Sequence, residues 1–178
     1  MDDYLRLCRA AVTDPRAALT LREQHLRAAA VGVLALPGLA HRLSGSALVG
    51  PIALTALLDA ATDAGLEAAR HGDRVWFAGG ADVVGPLLAT LGAAIPAHLH
   101  PAAALGWGEV VVGPGLDLHG PEVEQVRTLI GLAREGEVLC TPAVANRLSP
   151  PDGVGTFAAP APLTTAAGFP ITVWRDYR

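Results

Sequence analysis

The chain has 178 residues and a formal net charge of −4, enough for one domain with a full core and short of the usual size for two. Hydrophobic residues make up 51% and charged residues 17%, which excludes disorder, and the acidic balance argues against an electrostatic grip on nucleic acid. The apolar runs near 28–36 and 47–58 are broken by Gly32, Pro37, Gly50 and Pro51, short of the ~18–20 uninterrupted residues of a membrane span.

Single residue types exclude more. Lys and Arg together number 13, and every one is arginine, so a P-loop lysine, a Schiff-base lysine and a lysine general base are all ruled out. Ser44, Ser46 and Ser149 are the serines, none within G-x-S-x-G. Cys8 and Cys140 form no C-x-x-C, so neither a redox motif nor a zinc knuckle is encoded. The start Met1-Asp2-Asp3-Tyr4 lacks a basic n-region, and a reduced, cytoplasmic setting is expected.

In chain order, Leu5, Cys8, Val12, Leu19 and Leu26 recur at helical period, predicting helix over 3–30 with a break at Asp14-Pro15. The apolar run 31–36, ended by Pro37-Gly38, reads as a buried strand. Residues 47–69 read as a second helix stopped at His71-Gly72, with Asp59, Asp63 and Glu67 as its solvated face. Residues 74–78 read as a strand, Gly79-Gly80 as a hairpin turn and 81–84 as the returning strand. A helix over 86–95 is led by Pro86, and a strand at 109–112 ends at Gly113-Pro114-Gly115. A helix over 121–134, a strand at 138–140, a short helix over 142–148, a Pro/Ala/Gly/Thr-rich segment and a closing strand at 171–174 complete the order.

The order contains β-α-β-β-α-β, the ferredoxin-like unit, an antiparallel-mixed sheet with helices on one face. The expected class is α+β with an N-terminal helical extension, divided as 1–30 and 31–178.

The second half resembles a known family. Glu109-Val110-Val111-Val112, Asp117-Leu118-His119-Gly120-Pro121-Glu122-Val123 and Gly136-Glu137-Val138-Leu139-Cys140 are similar to H-T-G-E-V-V-V, D-x-x-G-P-x-V-N-x-A-A-R-L and P-G-E-V-L-V-S of class III adenylyl/guanylyl cyclase catalytic domains. The closing run Gly168 to Trp174 is similar to that family's last strand. The resemblance spans roughly 31–175 and implies a nucleotide cyclase fold. Such enzymes are dimers that cyclise ATP or GTP between subunits. Two carboxylates hold two metals, a lysine and an aspartate read the purine, an asparagine orients the ribose, and an arginine stabilises the transferred phosphoryl group.

Most of those positions are altered. The first metal carboxylate is aligned with Leu36 or Pro37, and no acid occurs between Glu23 and Asp59. The second, which the resemblance puts in the hairpin turn, is aligned with Ala81. Asp82, one residue on, would face the other side of a strand. The base-reading lysine is aligned with Phe77, the asparagine with Glu124, the arginine with Thr128 and the triphosphate lysine with Thr165. Asp117 alone is matched, as a vestigial purine-reading position or simply as a loop aspartate making turn hydrogen bonds. Glu124 would repel a triphosphate, and Arg127, one residue from the arginine position, is turned about 100° away on the helix.

His98-x-His100, between Pro96 and Pro101, reads as a solvent loop rather than a metal site. Trp76, Phe77, Trp107 and Trp174 read as core or interface, with Trp107 and Phe77 able to make a nucleotide cleft apolar. The leading expectation is a cyclase-fold pseudoenzyme in signalling, a dimerisation or regulatory domain with no catalytic residue, no metal and no cofactor. It would work as a homodimer or heterodimer, without nucleic acid or membrane. The alternatives are a weakly active adenylate or guanylate cyclase and a small-ligand module reusing the cleft.

Overall fold

The computed structural model describes residues 2–37, 48–94, 99–145, 147, 161–164 and 170–175. Helices α1 (Asp2–Ala11) and α2 (Pro15–His25) come first and lead into strand β1 (Leu26–Ala35). Next come α3 (Val49–Asp63), β2 (Glu67–His71), β3 (Arg74–Gly79) and α4 (Ala81–Ala94). After them follow β4 (Ala102–Gly113), β5 (Asp117–His119), α5 (Pro121–Ile130), β6 (Glu137–Cys140) and the short α6 (Pro142–Ala145). Strands β7 (Ala161–Thr164) and β8 (Pro170–Arg175) close the chain.

The helix break at Asp14-Pro15 is observed. Asp14 accepts a hydrogen bond from the Arg16 N–H at 2.9 Å, and Pro15 takes the first helical position. The helix does not run to residue 30, however. Residues 26–30 are extended because β1 pairs along its whole length with β4, from Leu26↔Val111 to Ala35↔Ala102. Ten ladder positions outweigh the helix propensity of Ala28, Ala29 and Ala30.

The larger correction concerns the hairpin. The second helix stops at Asp63, and Gly65, at φ +85°, turns the chain out of it, with the Leu66 N–H donating to the Ala61 carbonyl at 3.1 Å. Residues 67–71 are therefore a strand, paired with β3 from Glu67↔Ala78 to His71↔Arg74. The turn between them is Gly72-Asp73, with Gly72 at φ +65°. Residues 81–84, expected as a strand, are the start of α4. One strand is gained and one lost, so the β-α-β-β-α-β order survives.

The eight described strands form one sheet in the order β2-β3-β1-β4-β6-β8-β7, with β5 paired to β4. The β4–β6 pair is parallel and the others are antiparallel. Two cores lie on opposite faces. On one, α3 and α4 pack Leu54, Leu57, Val84 and Leu87 against Leu34, Val75, Phe77 and Leu105. On the other, α5 packs Val123, Val126, Leu129 and Ile130 against Val31, Val33, Trp76 and Val110. The α+β class is as expected, but helices cover both faces rather than one, because α5 packs on the side of the sheet opposite α3 and α4. Gly32, central in β1, makes room for the rings above it: a Cβ there would meet Phe77 Cε2 at 2.7 Å and Leu105 Cδ2 at 2.8 Å. No described helix is long and apolar enough to cross a membrane.

Candidate functional site

The end of β1 and the β2–β3 turn lie side by side. Ala35 pairs with Arg74 in the last β1–β3 pair, so continuing that register sets Leu36 level with Asp73 in the turn. The carboxylate position that the sequence resemblance puts in the hairpin turn is thus held by Asp73. Ala81 belongs to the first turn of α4, beyond the far end of β3, where Gly79 pairs with Ala30. Ala30 and Ala35 are five residues apart along β1, or ~17 Å, so Ala81 and Asp82 are remote from Leu36 and Pro37. The same displacement moves the base-reading lysine position from Phe77 to Ala69, which pairs with Trp76. Phe77 is fully buried in the core and lines no cleft.

The hairpin end holds one acid against one apolar residue. The Asp73 side chain is 87% exposed, with its carboxylate 3.8 Å from Arg74 Nε. Leu36 is buried among the α3–α4 core. Residues 38–47 lie outside the described set. Among the described residues no group of three or more His, Cys, Asp or Glu could hold a metal ion. Asp73 went unread in the sequence because the alanines around it continued a helical pattern. The signal that could have found it is the Gly72-Asp73 dipeptide itself, a hairpin turn pair.

On the α5 face of the sheet, Glu124, Arg127 and Thr128 make an internal cluster. Glu124 and Arg127 form an ion pair at 2.7 Å. The Arg127 guanidinium then lies over the Trp76 ring, 5.8 Å from its centroid. Thr128 donates its hydroxyl to the Glu124 carbonyl at 2.9 Å. Arg127 is thus engaged with its own helix and the sheet, and Trp76 is 8% exposed beneath it.

Asp117 sits on β5 opposite Gly113, with its carboxylate 3.0 Å from His119 Nε2. It is half exposed and bound to its own strand. Trp107 projects to the other side of the sheet from Trp76, packing on the α3–α4 core with Arg147 over its ring at 5.2 Å. It therefore covers a different face from the one carrying Glu124 and Thr128. Asp59 and Asp63 lie on α3, outside its buried set, and Glu67 pairs with Arg27 at 2.6 Å. His98 and Thr165 lie outside the described residues, as does the Trp174 side chain, and His100 is exposed.

Two further groups were not singled out by sequence. Tyr4 docks α1 on the sheet: its ring meets His25 edge-on at 4.8 Å, and His25 Nδ1 lies 3.0 Å from the Val112 carbonyl oxygen. Burial, with Cys8 and Asp117 nearby, raises the Tyr4 phenol well above its ordinary value. Glu122, on the first turn of α5, is held above the usual carboxylate range by burial, opposed by a hydrogen bond from the Trp107 backbone.

The chain has the fold of adenylyl and guanylyl cyclase catalytic domains. It is similar to the crystal structure of the guanylyl cyclase Cya2, with a TM-score of 0.68 at 14% identity over 84% of this chain and 91% of that one. The adenylyl cyclase CyaB from P. aeruginosa superposes with a TM-score of 0.64 at 17% identity, over 86% of this chain and 95% of that one. A dimeric guanylyl cyclase domain of the RhoGC fusion protein from the aquatic fungus Blastocladiella emersonii gives 0.66 at 15%, over 84% and 97%. No family model and no curated protein matches the chain in sequence. Identities this low carry the fold and leave the chemistry to the residues.

Proposed function

We propose that this chain is a cyclase-fold pseudoenzyme, a regulatory domain that acts by association with a second copy of itself rather than by making a cyclic nucleotide. The observation that carries the reading is that Leu36, one residue beyond the last β1–β3 pair Ala35↔Arg74 and so level with Asp73 in the turn, is a buried leucine. Metal-assisted cyclisation needs two converging carboxylates to hold the ions that activate the attacking oxygen and neutralise phosphate charge. A buried leucine in one position leaves a single exposed aspartate, which binds a divalent ion weakly at best. The Glu124–Arg127–Trp76 cluster supports the same reading, since it puts a carboxylate and a self-engaged arginine where a triphosphate would need free donors.

Association is supported by the exposed apolar side chains Leu5, Val12 and Leu19 on the N-terminal segment 2–25, and the RhoGC neighbour of the same fold is described both as a non-canonical dimer and as a monomer. The test has two arms. Purified protein with ATP or GTP and Mg²⁺ or Mn²⁺ forms no cAMP or cGMP above background. Product formation that is lost in Asp73→Asn overturns the reading in favour of a weakly active cyclase. Light scattering at micromolar concentration gives twice the monomer mass of 18.2 kDa, and removal of residues 1–25 weakens the dimer. A monomer at that concentration removes the associative half of the proposal.

A further inference from the structure

Glu122 lies over a strip of β4 that has no side chains of its own. A Cβ on Gly106 would meet Glu122 Oε2 at 3.1 Å, and one on Gly108 would meet Glu122 Cγ at 2.6 Å. The carboxyl accepts a hydrogen bond from the Trp107 backbone N–H, between the two glycines. Its Oε2 atom is buried with no hydrogen-bond partner among the described residues. A second buried oxygen without a partner is Thr141 Oγ1, on a residue 3% exposed.

The sheet register puts the two on the same face. Leu105 pairs with Cys140, and the Thr141 N–H donates to the Leu105 carbonyl at 3.0 Å, so Thr141 is level with Gly106. Leu139 packs on the α5 side and Cys140 on the other. Alternation returns residue 141 to the α5 side, where Glu122 sits.

Among the described residues no neighbouring side-chain charge compensates a carboxylate there. The elements packed against α5 are β4, β1, β5 and β6. They carry Glu109, Arg27, Asp117, His119, Glu137 and the buried thiol Cys140. Arg27 is paired with Glu67, Asp117 with His119, and Glu137 accepts from the Arg134 N–H. On α5 itself Glu124 and Arg127 are paired with each other. A half-buried carboxyl with one backbone donor, whose other oxygen is buried without a partner, is favoured neutral over charged.

We propose that Glu122 is a proton-operated latch: protonated, it seats the first turn of α5 on the Gly106–Gly108 strip, and loss of its proton to solvent unseats that turn together with the Glu124–Arg127–Trp76 cover. The latch is independent of whether the domain turns over nucleotides. The sign follows from linkage. The folded pKa lies above the ordinary 4.5. The stabilisation is therefore complete below the unfolded value and is lost as pH rises through the folded one.

The experiment compares wild type with Glu122→Gln, which keeps the shape and is permanently neutral. Thermal melts run from pH 4.5 to 8, and hydrogen exchange of the α5 amides is followed over the same range. Wild type loses melting temperature relative to Glu122→Gln as pH rises, and its first-turn amides lose protection with the same midpoint. The protection of those amides is independent of pH in the variant. Parallel pH profiles for the two proteins, or α5 protection unchanged across the wild-type transition, overturn the proposal. Should Glu122→Gln fail to fold, the carboxyl carbon resonance of Glu122 in wild type decides: a midpoint above 4.5 supports the latch and one at or below it refutes it.

Discussion

Leu36→Asp tests the register at the hairpin end. The substitution sets a second carboxylate opposite Asp73 without touching Ala81 or Asp82. It removes a leucine that is 8% exposed from the core, and loss of such a side chain costs ~2–5 kcal/mol. The matched control is Leu36→Asn, which loses the same packing and adds no charge. The metal-dependent difference between the two therefore isolates the carboxylate pair. Two oxygens-only ligands at the surface would hold Mn²⁺ with a Kd on the order of 1 mM. At about 10 mM Mn²⁺ that linkage returns roughly 1.4 kcal/mol, or ~3–6 °C in Tm for a chain of this size. Melts with and without Mn²⁺ should show this gain in Leu36→Asp, no gain in Leu36→Asn, and none in Leu36→Asp combined with Asp73→Asn. An Ala81→Asp substitution should leave the response unchanged. Equal Mn²⁺ gains in the Asp and Asn variants, or no gain in either, would refute the convergence of residues 36 and 73.

Two further outcomes are expected. Gly32→Ala forces a methyl group against Phe77 and Leu105, both fully buried or nearly so; overpacking of this kind costs about 1–3 kcal/mol, and a urea midpoint equal to wild type would contradict the close approach. Burial pushes the Cys140 thiol up to about 12, so at pH 8 an aromatic disulfide reagent should modify Cys8 in the folded protein and reach Cys140 only on unfolding.

Much of the architecture was legible in the chain because it rests on local chemistry. Asp14-Pro15 marks a helix start through a cap and a missing N–H, and both act within a few residues. The Val-rich run 109–112 and the pair Gly120-Pro121 announce a strand and a helix start in the same way. The motifs around them carried the resemblance to the cyclase fold that the superpositions bear out. The alanine-rich segments were less legible. Ala28, Ala29 and Ala30, and again Ala68 and Ala69, suit a helix by propensity, yet all are strand. An alanine has too little side chain to record which face it packs on, so its neighbours across the sheet decide.

What the sequence determined by itself was the β-α-β-β-α-β order and the absence of lysine, of any acid between Glu23 and Asp59, and of an asparagine at position 124 and an arginine at position 128 on α5. Composition and short-range turn and cap chemistry suffice for these. Only the tertiary structure decided which turn joins the hairpin, and so that Asp73 rather than Ala81 lies beside Leu36. It alone set Trp76 and Trp107 on opposite faces, and placed Thr141 on the face that carries Glu122 through a strand pair more than thirty positions apart in the chain. Strand register is a long-range choice, made by the ladder as a whole, and a single shift of one hairpin reassigns every side chain that depends on it.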